Sequence, residues 1–228
     1  MEKGQRSTNV STKAFKKDHT RKLIFDLDNT LLYLSADWHK TFNQFIAKGN
    51  YGITVEELYH AINVMEIKYS GRYVTKTSLV NHFNDELSTK FDQETCEEFL
   101  DQYAKIPLMN IDIVDDVLTY LSSNYTLIVY SNWFTDNQIL RLRLNGIDQY
   151  FSEVFGWDVL PTKPSRKGLN EIVGDDNINN YTFIGIDLDA DIRLPDSIGM
   201  DTIYLNLENT TQDKYKDIKN IGELKMIL

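Results

Sequence analysis

Two aspartates one residue apart, Asp26 and Asp28, follow directly on the apolar run Leu23-Ile24-Phe25, and Thr30 lies two positions further on. The run reads as a short buried strand, so the spacing places both carboxyl groups at its C-terminal mouth, where parallel α/β sheets bind ligands. Held 4 Å apart at a surface-like dielectric, two carboxylates repel by roughly 4 kcal/mol. Acids placed in this way need a cation or a substrate that uses them. We read Asp26 as a nucleophile and Asp28 as the group that handles protons beside it.

Three more element ends supply polar groups in a fixed order. Ser131-Asn132 follows the apolar run Thr126–Tyr130, Lys163-Pro164 opens a helix, and Asp187 with Asp191 follows the run 181–186. Together they suit phosphoryl transfer. A carboxylate attacks phosphorus and splits one hard step into two, and a second acid protonates the leaving oxygen and later deprotonates water. A hydroxyl and a lysine neutralise the phosphoryl oxygens, and the remaining carboxylates hold Mg²⁺, which prefers oxygen ligands. Any one of these motifs alone has an ordinary structural explanation: a surface turn for Asp-x-Asp, or a helix start with proline at its first position for Lys-Pro. Their joint order separates the chemical reading from the ordinary one.

The elements that must position these groups divide into two patterns. From Ala36 to Ala104 the spacing is helical. Trp38, Phe42, Phe45 and Ile46 share one face and Leu58, Ile62, Met65 and Tyr69 another; Leu79, Phe83 and Leu87 mark a third helix, and Phe99, Leu100 and Tyr103 a fourth. Thr54 with Glu57 forms a capping-box pattern after the break at Gly49-Asn50-Tyr51-Gly52. After Pro107 helix and strand alternate, with strands at Thr126–Tyr130, near Val154-Phe155, at 181–186 and at 202–205, and a last helix at 224–228. Alternation of this kind implies a doubly wound parallel α/β sheet. The expected organisation is a basic tail at 1–20, an α/β core at 21–35 and 105–228, and a helical insert at 36–104 that overhangs the acidic mouth as a lid.

A chain of 228 residues that is 42% hydrophobic can bury a real core. No stretch approaches the roughly 20 apolar residues of a membrane span. Cys96 is the only cysteine, so no internal disulfide is possible, and a reducing cytoplasm is the expected location. The net charge of −10 is segregated: residues 1–22 carry seven Lys/Arg against Glu2 and Asp18, leaving +5 there and −15 in the rest. The tail reads as a disordered extension, and the acidic body argues against nucleic acid as the main partner. The four histidines lack metal-ligand spacing, and Cys96 among acidic neighbours is no nucleophile. Lys68, Arg72 and Lys76 surround Gly71 at a turn between helices; they read as a solvated loop, with presentation of cations to an anionic substrate as the alternative.

With these motifs in order over residues 21–228, the chain resembles the haloacid dehalogenase (HAD) superfamily of hydrolases, in the subgroup with a helical cap between the first and second motifs. The resemblance implies a Rossmann-like core and catalysis through Asp26 as nucleophile, Asp28 as general acid/base and Lys163 as stabilising cation. It implies phosphate-binding roles for Thr30, which supports the first loop, and for Ser131, Asn132 and Lys163. Mg²⁺ would be held by Asp26, the main-chain carbonyl of Asp28 and an acid of the fourth motif, Asp187 or Asp191. The family's Gly-Asp at that motif is replaced by Gly185-Ile186-Asp187, which admits two registers. With Gly185 in its usual place, Ile186 occupies the ligand position and only Asp191 survives. With Ile186 in the glycine's place, both Asp187 and Asp191 serve, and this register is the one we favour from sequence. The expected activity is hydrolysis of a small phosphorylated metabolite, such as a sugar phosphate, a nucleoside monophosphate or phosphoglycolate. A 2-haloacid dehalogenase, a phosphomutase, a binding-only relative with an impaired metal site and a signalling receiver are the rivals. The receiver lacks the helical insert, and the dehalogenase has no leaving alkoxide for Asp28 to protonate.

Overall fold

The computed structural model describes residues 20–208 and 214–228. The basic tail expected at 1–20 lies, but for its last residue, outside the described residues. Six parallel strands form one sheet in the order β3-β2-β1-β4-β5-β6: β1 Lys22–Phe25, β2 Thr126–Tyr130, β3 Phe151–Phe155, β4 Tyr181–Gly185, β5 Asp201–Leu205 and β6 Asp217–Ile218. The chain builds outward from β1 through β2 to β3, then crosses back to lay β4 on the other side of β1. The order therefore reverses between β1 and β4, and the crevice beyond their carboxyl ends is the position where such sheets bind ligands.

Side chains alternate between the two faces of the sheet. Leu23, Phe25, Leu127 and Val129 pack with Val114, Val117, Leu118 and Leu121 of helix α5 (Ile111–Leu121), whereas Ile24, Ile128, Tyr130 and Phe183 pack with Leu169 of helix α7 (Arg166–Val173). Leu23, Ile24 and Phe25 are all buried, so β1 is covered on both faces as a central parallel strand must be. Each such side chain stabilises the fold by about 1.5–3 kcal/mol relative to exposure. Asp26 therefore follows directly on a strand that is buried on both faces.

Between β1 and β2 lie four helices: α1 (Asp37–Gly49), α2 (Val55–Lys68), α3 (Lys76–Leu87) and α4 (Gln93–Ala104). The capping box read at Thr54 is formed, with Glu57 N donating to Thr54 Oγ1 and Thr54 N to the Glu57 carboxylate. The apolar faces of these helices converge on Phe42, Phe45, Leu58, Met65, Phe83 and Phe99, and the same cluster takes in Trp133, Phe134 and Trp157 from the loops after β2 and β3. The chain leaves and re-enters the sheet unit side by side: Ser35 N donates to Pro107 O at 2.8 Å and Met109 N to Tyr33 O at 3.0 Å. The α2–α3 loop is tied down separately, through Gly71 N to Thr162 O (2.9 Å), Thr162 N to Arg72 O (2.8 Å) and Val74 N to Trp157 O (2.8 Å). Among the described residues, no helix is long and apolar enough to cross a membrane.

Candidate active site

The strand ends of β1, β2 and β4 and the loop after β3 bring the expected residues to one place. Asp26 N donates to Ile184 O at 3.0 Å, which continues the β1–β4 ladder one residue past the strand, and Asp26 is 8% exposed. After it the chain folds back on itself, with Leu31 N and Leu32 N both donating to Leu27 O and Asn29 held at φ 61°. Asparagine tolerates this left-handed conformation better than most residues. The turn buries Thr30 completely and aims its hydroxyl at Asp26 Oδ2, 2.7 Å away. Thr30 thus sits behind the carboxylate and not on the cavity wall.

The other oxygen of Asp26 accepts from Lys163 Nζ at 2.7 Å, and the same ammonium donates to Asp191 Oδ1 at 2.7 Å. Burial works against the lysine's charge, but Asp191 and Asp26 outweigh it and hold its pKa above the ordinary lysine value. Asp191, 1% exposed, is pushed upward by burial; Lys163 opposes the shift and Asp26 adds to it. The Asn132 side chain clamps the lysine's main chain from both sides, accepting from Lys163 N at 2.7 Å and donating to Lys163 O at 3.2 Å. Asp26, Asp28, Ser131, Asn132, Lys163, Asp187 and Asp191 all line one cavity of about 220 Å³.

At the fourth motif, Gly185 ends β4 and Ile186 is the first residue beyond it. A Cβ on Gly185 would lie 2.3 Å from Asp191 Oδ2, so the glycine is what lets this buried carboxylate lie against the strand end. Asp187 is exposed, and its Oδ1 accepts from Asp189 N and Ala190 N, capping the wide helical turn Leu188–Arg193, although the residue still borders the cavity. Asp189 is exposed and pairs with Arg193.

Sequence reasoning did not find the residues that grip Asp28. Arg141 Nη1 donates to Asp28 Oδ1 at 2.6 Å, Gln138 Nε2 to Asp28 Oδ2 at 2.7 Å and to Ser131 Oγ at 2.8 Å, and Tyr103 OH to Asp28 Oδ1 at 3.3 Å. Arg141 is 1% exposed, and its Nε and Nη2 make no hydrogen bond among the described residues. Arg141 and Gln138 lie one turn apart on helix α6 (Thr135–Leu144), whose buried face consists of Asn137, Gln138, Arg141 and Leu142. Three polar residues on one helical face were the available signal.

A second residue missed from sequence is Glu66 on α2, which borders both this cavity and an adjoining one of about 400 Å³. The residue is exposed at the cleft mouth, yet desolvation by the cleft walls pushes its pKa up to about 7, with Lys163 opposing the shift and Asp26 and Asp28 adding to it. The larger cavity is walled by Tyr33, Trp38, Phe42, Tyr59, Tyr103 and Trp133 among others. Lys68 and Lys76 are paired with Glu86 and Glu97, and neither they nor Arg72 line these cavities. Burial raises the Cys96 thiol to about 12, which leaves it without nucleophilic character.

Among the described residues, no three Asp, Glu, His or Cys side chains are drawn together as a ready-made metal cage. Mg²⁺ does not require one, since it keeps several waters and takes one or two carboxylates plus substrate oxygens. The donor set suits it: Asp26, Asp28, Glu66, Asp187 and Asp191 all border the cavity and outnumber its cations, Lys163 within the lining and Arg141 against Asp28.

Comparison with known proteins agrees with this architecture. Residues 23–205 match the family model described as haloacid dehalogenase-like hydrolase. The pyrimidine 5′-nucleotidase PynA of Streptococcus pneumoniae is 27% identical over 208 residues, covering 83% of this chain and 86% of the relative. The crystal structure of the HAD-hydrolase YfnB from Bacillus subtilis bound to magnesium superposes with a TM-score of 0.72 at 22% identity, over 91% of this chain and 98% of that one. A 2-haloacid dehalogenase from Pseudomonas syringae pv. Tomato superposes with a TM-score of 0.68 at 19% identity, over 91% and 97%. A family match that spans every loop carrying the site, on a fold shared with solved members, makes this chain a member of the haloacid dehalogenase-like hydrolase family.

Proposed function

We propose that this hydrolase is a Mg²⁺-dependent phosphatase that cleaves a small phosphate monoester through an aspartyl-phosphate on Asp26. The observation that carries the reading is the convergence of Asp26, Asp28, Lys163 and Asp191 on one polar cavity at the point where the strand order reverses. Asp26, the Asp28 carbonyl and Asp191, with Asp187 as the neighbouring acid, would hold Mg²⁺, which would supply charge neutralisation at the phosphoryl oxygens. An Asp26 oxygen attacks phosphorus, the bond from phosphorus to the ester oxygen breaks, and Asp28 gives its proton to the departing alkoxide. Water then attacks the phosphorus of the aspartyl-phosphate, Asp28 takes a proton from it, and the Asp26 carboxylate is released. Lys163 balances charge on Asp26 and the phosphoryl group, and Ser131 and the Asn132 loop receive its remaining oxygens. Thr30 orients the nucleophile from behind.

The helices 36–104 act in this reading as a cap over the site, with the paired segments at 33–35 and 107–109 as its connection to the core. The nucleotidase relative favours a nucleoside monophosphate among the esters considered. The test is phosphate release from a generic aryl phosphate with and without Mg²⁺. Turnover that needs the metal and is lost in Asp26→Asn supports the assignment, and equal rates for the two proteins refute it. A dehalogenase would use the same first aspartate on carbon and would need no metal. Chloride release from a 2-haloacid in EDTA would identify that chemistry instead.

A further inference from the structure

The two cavities at the mouth of β1 differ in chemistry. The smaller holds Lys163 and the carboxylates around it, which makes it the place for a phosphoryl group. The larger, about 400 Å³, is of a size that holds a small organic ligand, and no lysine, arginine or histidine lines it. Its ionisable groups other than tyrosines are Asp28, already gripped by Arg141, and Glu66. Asn63 and Glu66, three residues apart on α2, border both cavities, opposite Asp28, Asn29 and Asn132 of the sheet unit, which also border both. The lysines and the arginine of the α2–α3 turn line neither cavity, so this helical unit presents a carboxylate to the substrate and not a cation.

Resting on the phosphatase reading above, we propose that Glu66 and the aromatic wall of the larger cavity set specificity, admitting monophosphates of an uncharged, ring-bearing alcohol such as a nucleoside and rejecting esters with a second anionic group beside the scissile phosphate. Glu66 and Asn63 offer hydrogen-bond partners to hydroxyl groups near the ester oxygen, and Trp38 and Tyr59, whose ring centroids lie 5.2 Å apart, offer flat surfaces to a ring. A carboxylate or second phosphate entering the same space meets Glu66 and finds no lysine, arginine or histidine among the lining residues to pair with. Phosphoglycolate, whose alcohol carries its own carboxylate and has no ring, is therefore a poor substrate on two counts.

The test is kcat/KM for a nucleoside 5′-monophosphate and for phosphoglycolate, with Mg²⁺, in wild type, Glu66→Gln and Tyr59→Ala. The ratio of the two values within one preparation does not depend on the fraction correctly folded. Wild type should favour the nucleotide by about 100-fold or more. Glu66→Gln should narrow the ratio at least tenfold, mainly by improving phosphoglycolate, and Tyr59→Ala should narrow it by weakening the nucleotide. A wild-type ratio near one, or a ratio unchanged in both variants, overturns the specificity proposal while leaving the phosphatase reading in place. Absence of phosphate release from every ester, an aryl phosphate included, overturns both.

Discussion

Arg141 shows how much of the site depends on a residue that touches no reacting atom. Its guanidinium is buried, stacks 5.0 Å from the Tyr103 ring centroid, and meets Asp28 at 2.6 Å. Removing one partner of such a pair strands the other charge at a cost of several kcal/mol when both are buried. Asp28 keeps 31% of its side-chain exposure, so we expect Arg141→Leu to lose a smaller amount, about 2 kcal/mol in urea unfolding, with kcat falling more than KM rises. Unchanged kcat in a folded variant would show that the grip on Asp28 is structural only. Glu66 gives a pH prediction with a definite sign. Unfolded, its carboxyl titrates near about 4.3; folded, near 7. Between these values the folded state binds more protons, so this group's contribution to stability is present at low pH and lost as pH rises through 7. In EDTA, Glu66→Gln should therefore melt higher than wild type at pH 8 and no higher at pH 4. An identical difference at both values would remove electrostatics as its cause.

At the scale of elements, the end of β4 is a tightly constrained point. Gly185 leaves room for the Asp191 carboxylate, and an alanine there would place a methyl group 2.3 Å from Asp191 Oδ2. We expect Gly185→Ala to displace Asp191, lower kcat/KM by roughly 100-fold as misplaced catalytic groups do, and raise the Mg²⁺ concentration needed for half-maximal rate. Retention of wild-type magnesium dependence would show that Asp191 does not serve the metal. Much at this scale was legible in the sequence. Strands β1 and β2 lie where their apolar runs place them, because strands buried on both faces read as continuous hydrophobic stretches. The Thr54 cap formed because its partners are local. Helix α6 was not legible as a source of site residues: Gln138 and Arg141 bond Asp28 more than 100 positions away, and Asn137 donates to Leu100 O and accepts from Trp133 Nε1. The two-residue strand β6 is too short to leave a pattern.

At the scale of the whole molecule, motif order carried further than any single motif. Four element ends separated by up to 165 positions, from Asp26 to Asp191, meet because a parallel sheet with crossovers gathers all its carboxyl ends at one edge. That rule made the convergence of Asp26, Asp28, Ser131, Lys163 and Asp191 readable before any coordinates. What the helical unit contributes was not readable, since the face of α2 that meets the cleft is decided by packing between separate units. The loop around Arg72 illustrates this. Its cations read as a solvated loop, with presentation to an anionic substrate as the alternative; main-chain bonds to Thr162 and Trp157 tie the loop down, and Glu66, six residues before Arg72, lines the cleft.

The central claim, that Asp26 becomes covalently phosphorylated, is tested most directly by rapid quenching of the enzyme mixed with an aryl phosphate and Mg²⁺, followed by mass spectrometry of its peptides. The account predicts a phosphoryl group on the peptide containing Asp26, accumulating further in Asp28→Asn, where breakdown by water lacks its base, and absent in Asp26→Asn. Steady release of phosphate by wild type and Asp26→Asn alike, with no phosphoryl group on Asp26 at any quench time, would contradict it.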